Sequence, residues 1–197
     1  MKMEPHPDAD RLIARLAAVG ADLDGAFNSE LFRFIHPTYS KAADIIDGAG
    51  ALHAAGRWNA KGAARLSYTA MTPQTALGEA LAHVNYYRLP LVKALPRVLV
   101  ALRLKAKRVL DLRDGTVRKV LKLSEDTIRE LDWRAENQKG IEAMTQAWGR
   151  AFAVAGFEAV IVPSAADIAG ANVLVYPENL LPGSRFEVES EVKWPDK

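Results

Sequence analysis

Apolar positions near the N-terminus recur at helical spacing: Leu12, Ile13, Leu16 and Val19 form one stripe, and Gly20 follows where a helix can stop. Asp8 or Asp10 is placed to cap that helix. Leu31 to Ile35 is a short apolar run closed by His36-Pro37 and predicts a strand, because proline withdraws a ladder donor and biases its predecessor away from helix. From Lys41 to Gly62 the chain is rich in Ala and Gly with little periodicity, which predicts a long loop, the kind of segment that often binds ligands. Arg65 to Ala70 reads as a short strand. Thr72-Pro73 then opens a helix, with Thr as cap and Pro at the first helical position, running to about Tyr87. Its apolar stripe is Leu77, Ala80, Leu81 and Val84, while Glu79 shares a neighbouring face with Ala76 and His83.

In the second half, Val98 to Leu104 and Arg108 to Leu112 predict two strands, and Asp114-Gly115 is turn chemistry. Ser124 can cap a short helix through Ile128 and Leu131. Ile141, Met144, Trp148 and Phe152 define a helical stripe that Gly156 ends, and its two aromatics read as core. Ala159 to Val162 and Asn172 to Tyr176 are buried-strand patterns. Phe186, Val188 and Val192 alternate with Glu187, Glu189 and Glu191 in a half-exposed last strand. The sum is an α+β single domain with one mixed sheet flanked by helices.

A chain of 197 residues, 49% of them hydrophobic, can bury one substantial core and is short for two catalytic domains. Its 26 basic and 24 acidic residues nearly cancel to +2, which gives no field for nucleic acid or an anionic membrane. The basic run Arg103 to Arg108 has no interleaved aromatics and reads as a solvated strand edge or turn. The absence of Cys excludes disulfides and thiolate chemistry and fits a reducing compartment. The N-terminal segment has no apolar signal core, so a soluble, cytoplasmic protein is expected.

Two segments hold the candidate chemistry. Arg57 sits in the Gly-flanked run Gly56-Arg57-Trp58-Asn59, where a planar guanidinium can hold phosphate oxygens and glycine lets backbone approach a ligand. Read alone, such a residue is more often a surface Arg in a flexible loop. Tyr68 on the next strand and Glu79 on the next helix give a cation, a ring and an acid in order, and His83 one turn on is a candidate partner for Glu79. Ser164 ends an apolar strand after Pro163, where loops of α/β proteins meet ligands. No Gly-x-Ser-x-Gly elbow accompanies it, so a phosphate or ribose contact fits better than a nucleophile. His6, His36, His53 and His83 show no ligand spacing, and no metal is expected. Neither a Walker loop nor a G-x-G-x-x-G fingerprint occurs.

These residues resemble the RES domain family, named for its Arg, Glu and Ser and found as toxins of bacterial toxin–antitoxin pairs. The resemblance runs from about Leu31 to Tyr176 and is carried by Gly56 to Asn59, the Tyr68 strand, the helix from Thr72-Pro73 to Glu79, Pro163-Ser164 and Asn172 to Pro177. It implies a catalytic domain over 31–197 behind an N-terminal helical extension at 1–30, with a fold similar to ADP-ribosyltransferase toxins. It also implies NAD as substrate with no true cofactor, the nicotinamide–ribose bond being broken by hydrolysis or phosphorolysis, and Arg57, Tyr68, Glu79 and Ser164 as functional residues supported by Asn59 and Arg33. Under that reading Glu79 stabilises the sugar cation or orients the nucleophile, Tyr68 packs on nicotinamide, Arg57 holds the pyrophosphate and Ser164 anchors ribose or phosphate. The implied partner is a helix-turn-helix (Xre-type) antitoxin that blocks the pocket, in a toxin–antitoxin hetero-oligomer or beside a homodimer. Two other readings stand: mono-ADP-ribosylation of a specific protein, and a non-catalytic nucleotide-binding or assembly module. The sequence departs from the family at Ala55, often another Gly, and at Ala165-Ala166, where an Arg frequently follows the Ser.

Overall fold

The computed structural model describes residues 3–39 and 41–194. In chain order the elements are α1 (Ala9–Val19), β1 (Asp24–Ile35), α2 (Ala42–Ile46), α3 (Gly50–His53), β2 (Ser67–Ala70), α4 (Pro73–Tyr86), β3 (Arg97–Asp111), α5 (Gly115–Leu121), α6 (Glu125–Glu130), α7 (Trp133–Gln138), α8 (Met144–Val154), β4 (Ala159–Pro163), β5 (Ala171–Val175) and β6 (Arg185–Trp194). Several starts are fixed by the caps that the sequence advertises. The Thr72 hydroxyl accepts from the Thr75 N–H at the head of α4, and the Ser124 hydroxyl accepts from the Thr127 N–H at the head of α6. Asp8 stands at the N-cap of α1, but its side chain accepts no capping bond there.

The six strands run in the order β1-β2-β5-β4-β3-β6, and β1 also pairs with β3. That second pairing closes the sheet into a barrel. Mixed topology was expected, since β3 and β4 are parallel whereas the other pairs are antiparallel. Closure was not, and it depends on β3 being one strand of 15 residues where the sequence predicted two. The basic run Arg103 to Arg108 lies inside β3 rather than on an edge or in a turn: Leu104 and Ala106 are buried while Lys105 and Lys107 face out. Over Arg103 to Lys105 the strand is paired on both sides, by β1 and β6, and Arg103 meets Glu189 of acidic β6 at 2.9 Å.

Alternation along the strands divides the core in two. Leu110, Val160, Val162 and Leu174 pack against Leu12, Leu16, Leu121, Ile128, Trp148 and Phe152 from the helices. Leu31, Val100, Leu102, Leu104, Val173 and Val175 fill the other side with Ile45 of α2 and Phe186 of β6. The helix α1 packs on α8, and the predicted long loop 41–62 is broken by the two short helices α2 and α3, too brief to leave a periodic signature. Among the described residues no helix is long and apolar enough to cross a membrane.

Candidate active site

The segment after α3 makes a tight reversal. Gly56 and Asn59 exchange backbone hydrogen bonds of 2.9 and 3.4 Å, with Arg57 and Trp58 at the tip. Trp58 turns inward to 3% exposure against Phe152, anchoring the turn on α8. Tyr68 closes it from β2, its hydroxyl accepting from the Trp58 N–H at 2.9 Å and donating to Asn59 Oδ1 at 2.8 Å. Asn59 Nδ2 in turn donates to the carbonyls of Ala51 and Ala54. Gly56 is required here: a Cβ would stand 2.7 Å from both Asn59 Oδ1 and the Tyr68 hydroxyl.

The turn is also held from α8, through a residue the sequence pattern did not single out. Fully buried Gln146 donates from Nε2 to the carbonyls of Gly56 and Asn59 and to Asn137 Oδ1, and its Oε1 accepts from Asn137 Nδ2 and the Ala143 N–H. Every hydrogen-bonding atom of that amide is occupied, so it fixes the turn in one arrangement.

With the turn held, Arg57 reaches the α6–α7 junction, where Nη1 donates to the Ile128 and Leu131 carbonyls at 3.2 and 2.8 Å. Its Nε and Nη2 meet no acceptor among the described residues, leaving part of the guanidinium fork for a ligand. Burial lowers the Arg57 pKa, and the negative charge of Glu79 works against that shift. Tyr68 titrates far above a normal phenol, chiefly because it is buried, so it acts as a neutral ring and hydroxyl.

Glu79 faces this pair from α4. Its Oε1 accepts from the Ser164 hydroxyl and from Asn172 Nδ2, both at 2.6 Å. The Ser164 hydroxyl also accepts the N–H groups of Ala166 and Asp167. Ser164 is fully buried, so it stands behind the carboxylate rather than on the open wall. Its loop is tied down by Arg129, whose guanidinium donates to the carbonyls of Ser164, Asp167 and Ile168. Gly78 of α4 faces this loop, where an added Cβ would make ordinary contact with Ala166.

Between these groups lies a cleft of about 1230 Å³ bordered by Arg57, Tyr68, Glu79, Asn59, Arg33 and Asn172. It exceeds the usual range of small-ligand pockets, roughly 300–1,000 Å³. Arg33 shares the wall, but its Nη1 is engaged by Ser67 Oγ and the Ile45 carbonyl, and burial lowers its pKa. The rim is aromatic and cationic: Arg134 lies 4.6 Å from the Tyr86 ring and 4.3 Å from the Trp133 ring. The expected pairing of Glu79 with His83 involves a side chain outside those described. Among the described residues no cluster of His, Cys, Asp or Glu could hold a metal.

Barrel, helices and cleft together define a known class: a RES domain model matches residues 30–194, and the chain belongs to the RES domain family. No curated protein matches it in sequence. Among solved structures it is similar to a chain in the crystal structure of the M. tuberculosis MbcT–MbcA toxin–antitoxin complex, at 23% identity over 92% of this chain and 91% of that one, with a TM-score of 0.72. That likeness is one of fold.

Of the residues missed beforehand, Gln146 and Asn172 had a faint signal: each is a lone amide inside an otherwise apolar helix or strand pattern. Trp133, Arg134 and Tyr86 had none, because they meet only when α7 docks beside the end of α4.

Proposed function

We propose that this protein cleaves the nicotinamide–ribose bond of NAD and acts as a growth-inhibiting toxin held in check by an antitoxin. The reading is carried by one observation: a carboxylate fixed by two donors faces a partly unengaged guanidinium across a cleft of dinucleotide size. In the reaction the C1′–N bond breaks, nicotinamide leaves with the electron pair as a neutral base, and a C1′–O bond forms to water or phosphate with loss of a proton. Positive charge grows on the sugar as the base departs, so a preorganised anion at Glu79 stabilises the transition state more than the ground state. Arg57 pairs with the pyrophosphate through its free nitrogens, and Tyr68 supplies the ring beside nicotinamide. Ser164 serves by holding Glu79, a role that suits its burial better than direct contact with ribose or phosphate. Arg134, whose side chain lines the cleft, is the cation we assign to the part of the Arg absent after Ser164, since Arg129 is spent on the carbonyls of that loop.

Partnership with an antitoxin rests on family membership and on the neighbour having been solved in a toxin–antitoxin complex. The kinship to ADP-ribosyltransferases implied by the same resemblance makes transfer to a protein the rival outcome. Purified protein incubated with NAD labelled on the adenylate side, with and without phosphate, separates them. Nicotinamide with free ADP-ribose or its 1″-phosphate is expected. Label retained on protein would favour transfer, and no nicotinamide release would overturn the proposal.

A further inference from the structure

Asn172 is a polar residue in a place that suits an apolar one. It lies at the centre of the sheet, opposite Ala70 of β2 and Val162 of β4, at 8% exposure and followed by Val173, Leu174 and Val175. Its Nδ2 donates to Glu79 Oε1 at 2.6 Å, whereas its Oδ1 is buried with no hydrogen-bond partner. The orientation of the amide follows from its neighbours. An ionised carboxylate only accepts, so the NH2 must face Glu79 and the oxygen must face away. The fold therefore carries an unpaired buried acceptor that a leucine of similar size would remove. What the amide supplies in return is the second donor on Glu79, beside the Ser164 hydroxyl.

We propose that Asn172 is a positioning residue that fixes the Glu79 carboxylate for bond cleavage at a cost to the stability of the fold. This rests on the NAD-cleaving reading for its kinetic consequence, but the contact with Glu79 can be tested without it. Two donors on one oxygen hold the carboxylate in a single rotamer and turn its second oxygen toward the cleft. With Asn172 gone, Ser164 alone is a one-point hinge. The carboxylate then samples orientations that do not face the sugar, so kcat falls more than substrate binding does.

The test uses the full chain with two substitutions. For Asn172→Leu, the expected thermal midpoint is equal to or above that of the parent, with kcat for nicotinamide release down on the order of tenfold to a hundredfold and KM for NAD within about twofold. A lower midpoint, or turnover within about twofold of the parent, overturns the proposal. Asn172→Asp keeps the shape but sets a second carboxylate against Glu79. Among the described residues, the other charged or titratable groups close to this point are Arg57, Tyr68, Asp167, which is bonded to Thr75 of α4, and Arg129, which donates to the Ser164 carbonyl. Two carboxylates in contact bind a proton more tightly folded than unfolded, so this variant loses stability as pH rises to 7 and regains it toward pH ~4. Adding Glu79→Gln removes that dependence. If Asn172→Asp unfolds with the parent's pH profile, the proposal fails whether or not the protein acts on NAD. If the parent releases no nicotinamide, the functional reading fails and the pH profile alone decides the role of Asn172 toward Glu79.

Discussion

Replacing Gly149 by alanine tests how tightly α8 holds the Arg57 turn. By helix propensity alone the change should stabilise the chain by about 1 kcal/mol. The geometry reverses that sign. A Cβ built on Gly149 lies 1.7 Å from the Trp58 carbonyl oxygen and 2.7 Å from its carbon, whereas ordinary contact begins at 3.4 Å. The obstacle is backbone, so no side-chain rotation relieves it. Helix and turn must separate by well over 1 Å, against the hydrogen bonds of Gln146 to the same turn and of the Tyr176 hydroxyl to the Gly149 carbonyl. Overpacking of this kind costs about 1–3 kcal/mol, occasionally more, and the rigidity of both partners puts this case at the upper end. After the propensity gain, a net loss of about 2 kcal/mol remains, or a thermal midpoint lower by about 4–8 °C for a chain of this size. Displacement of Arg57 by about 1 Å should also cut NAD cleavage by up to ~10²-fold. Thermal unfolding by circular dichroism and a nicotinamide-release assay read the two effects. A Gly149→Ala protein as stable as its parent would refute the packing argument.

Glu79→Gln keeps the shape of the side chain and deletes its charge; nicotinamide release should fall by about 10²–10³, and an unchanged rate in a product assay would remove Glu79 from the chemistry. Tyr68→Phe strips the hydroxyl that serves both the Trp58 N–H and Asn59 Oδ1, so denaturant unfolding should show a loss of about 2 kcal/mol. Glu158 titrates below a normal glutamate: burial pushes it up, but hydrogen bonds outweigh this, among them those from the N–H groups of Leu181, Lys107 and Arg108. Its stabilising effect is therefore complete above about pH 5 and drains as pH falls through the depressed folded value. Glu158→Gln should flatten that part of the acid unfolding profile, and an unaltered profile would count against the assignment.

The sequence made local features legible where one or two residues dictate them. Thr72-Pro73 announced α4, Ser124 announced α6, and Trp148 with Phe152 announced the buried face of α8. It misread β3, because four basic residues between Leu102 and Val109 look like an interruption until β6 supplies the opposing acid. Barrel closure was invisible for a different reason: β1 and β3 pair across more than sixty residues, and no local pattern encodes such a contact. At the site, Arg57, Tyr68 and Glu79 stood out because their order along the chain is distinctive. Gln146 and Asn172 did not, since a buried amide acquires its meaning only from the atoms it meets.

The donors on Glu79 come from 85 and 93 residues further along the chain. A ribosome adding roughly 5–20 residues per second needs on the order of 5–20 s to travel from the carboxylate to those donors. Until then the nascent polypeptide contains Arg57, Tyr68 and Glu79 without the means to orient them, and β5, which completes the circuit of strands, has not been made. Synthesis thus imposes an intrinsic delay between translating these side chains and assembling them.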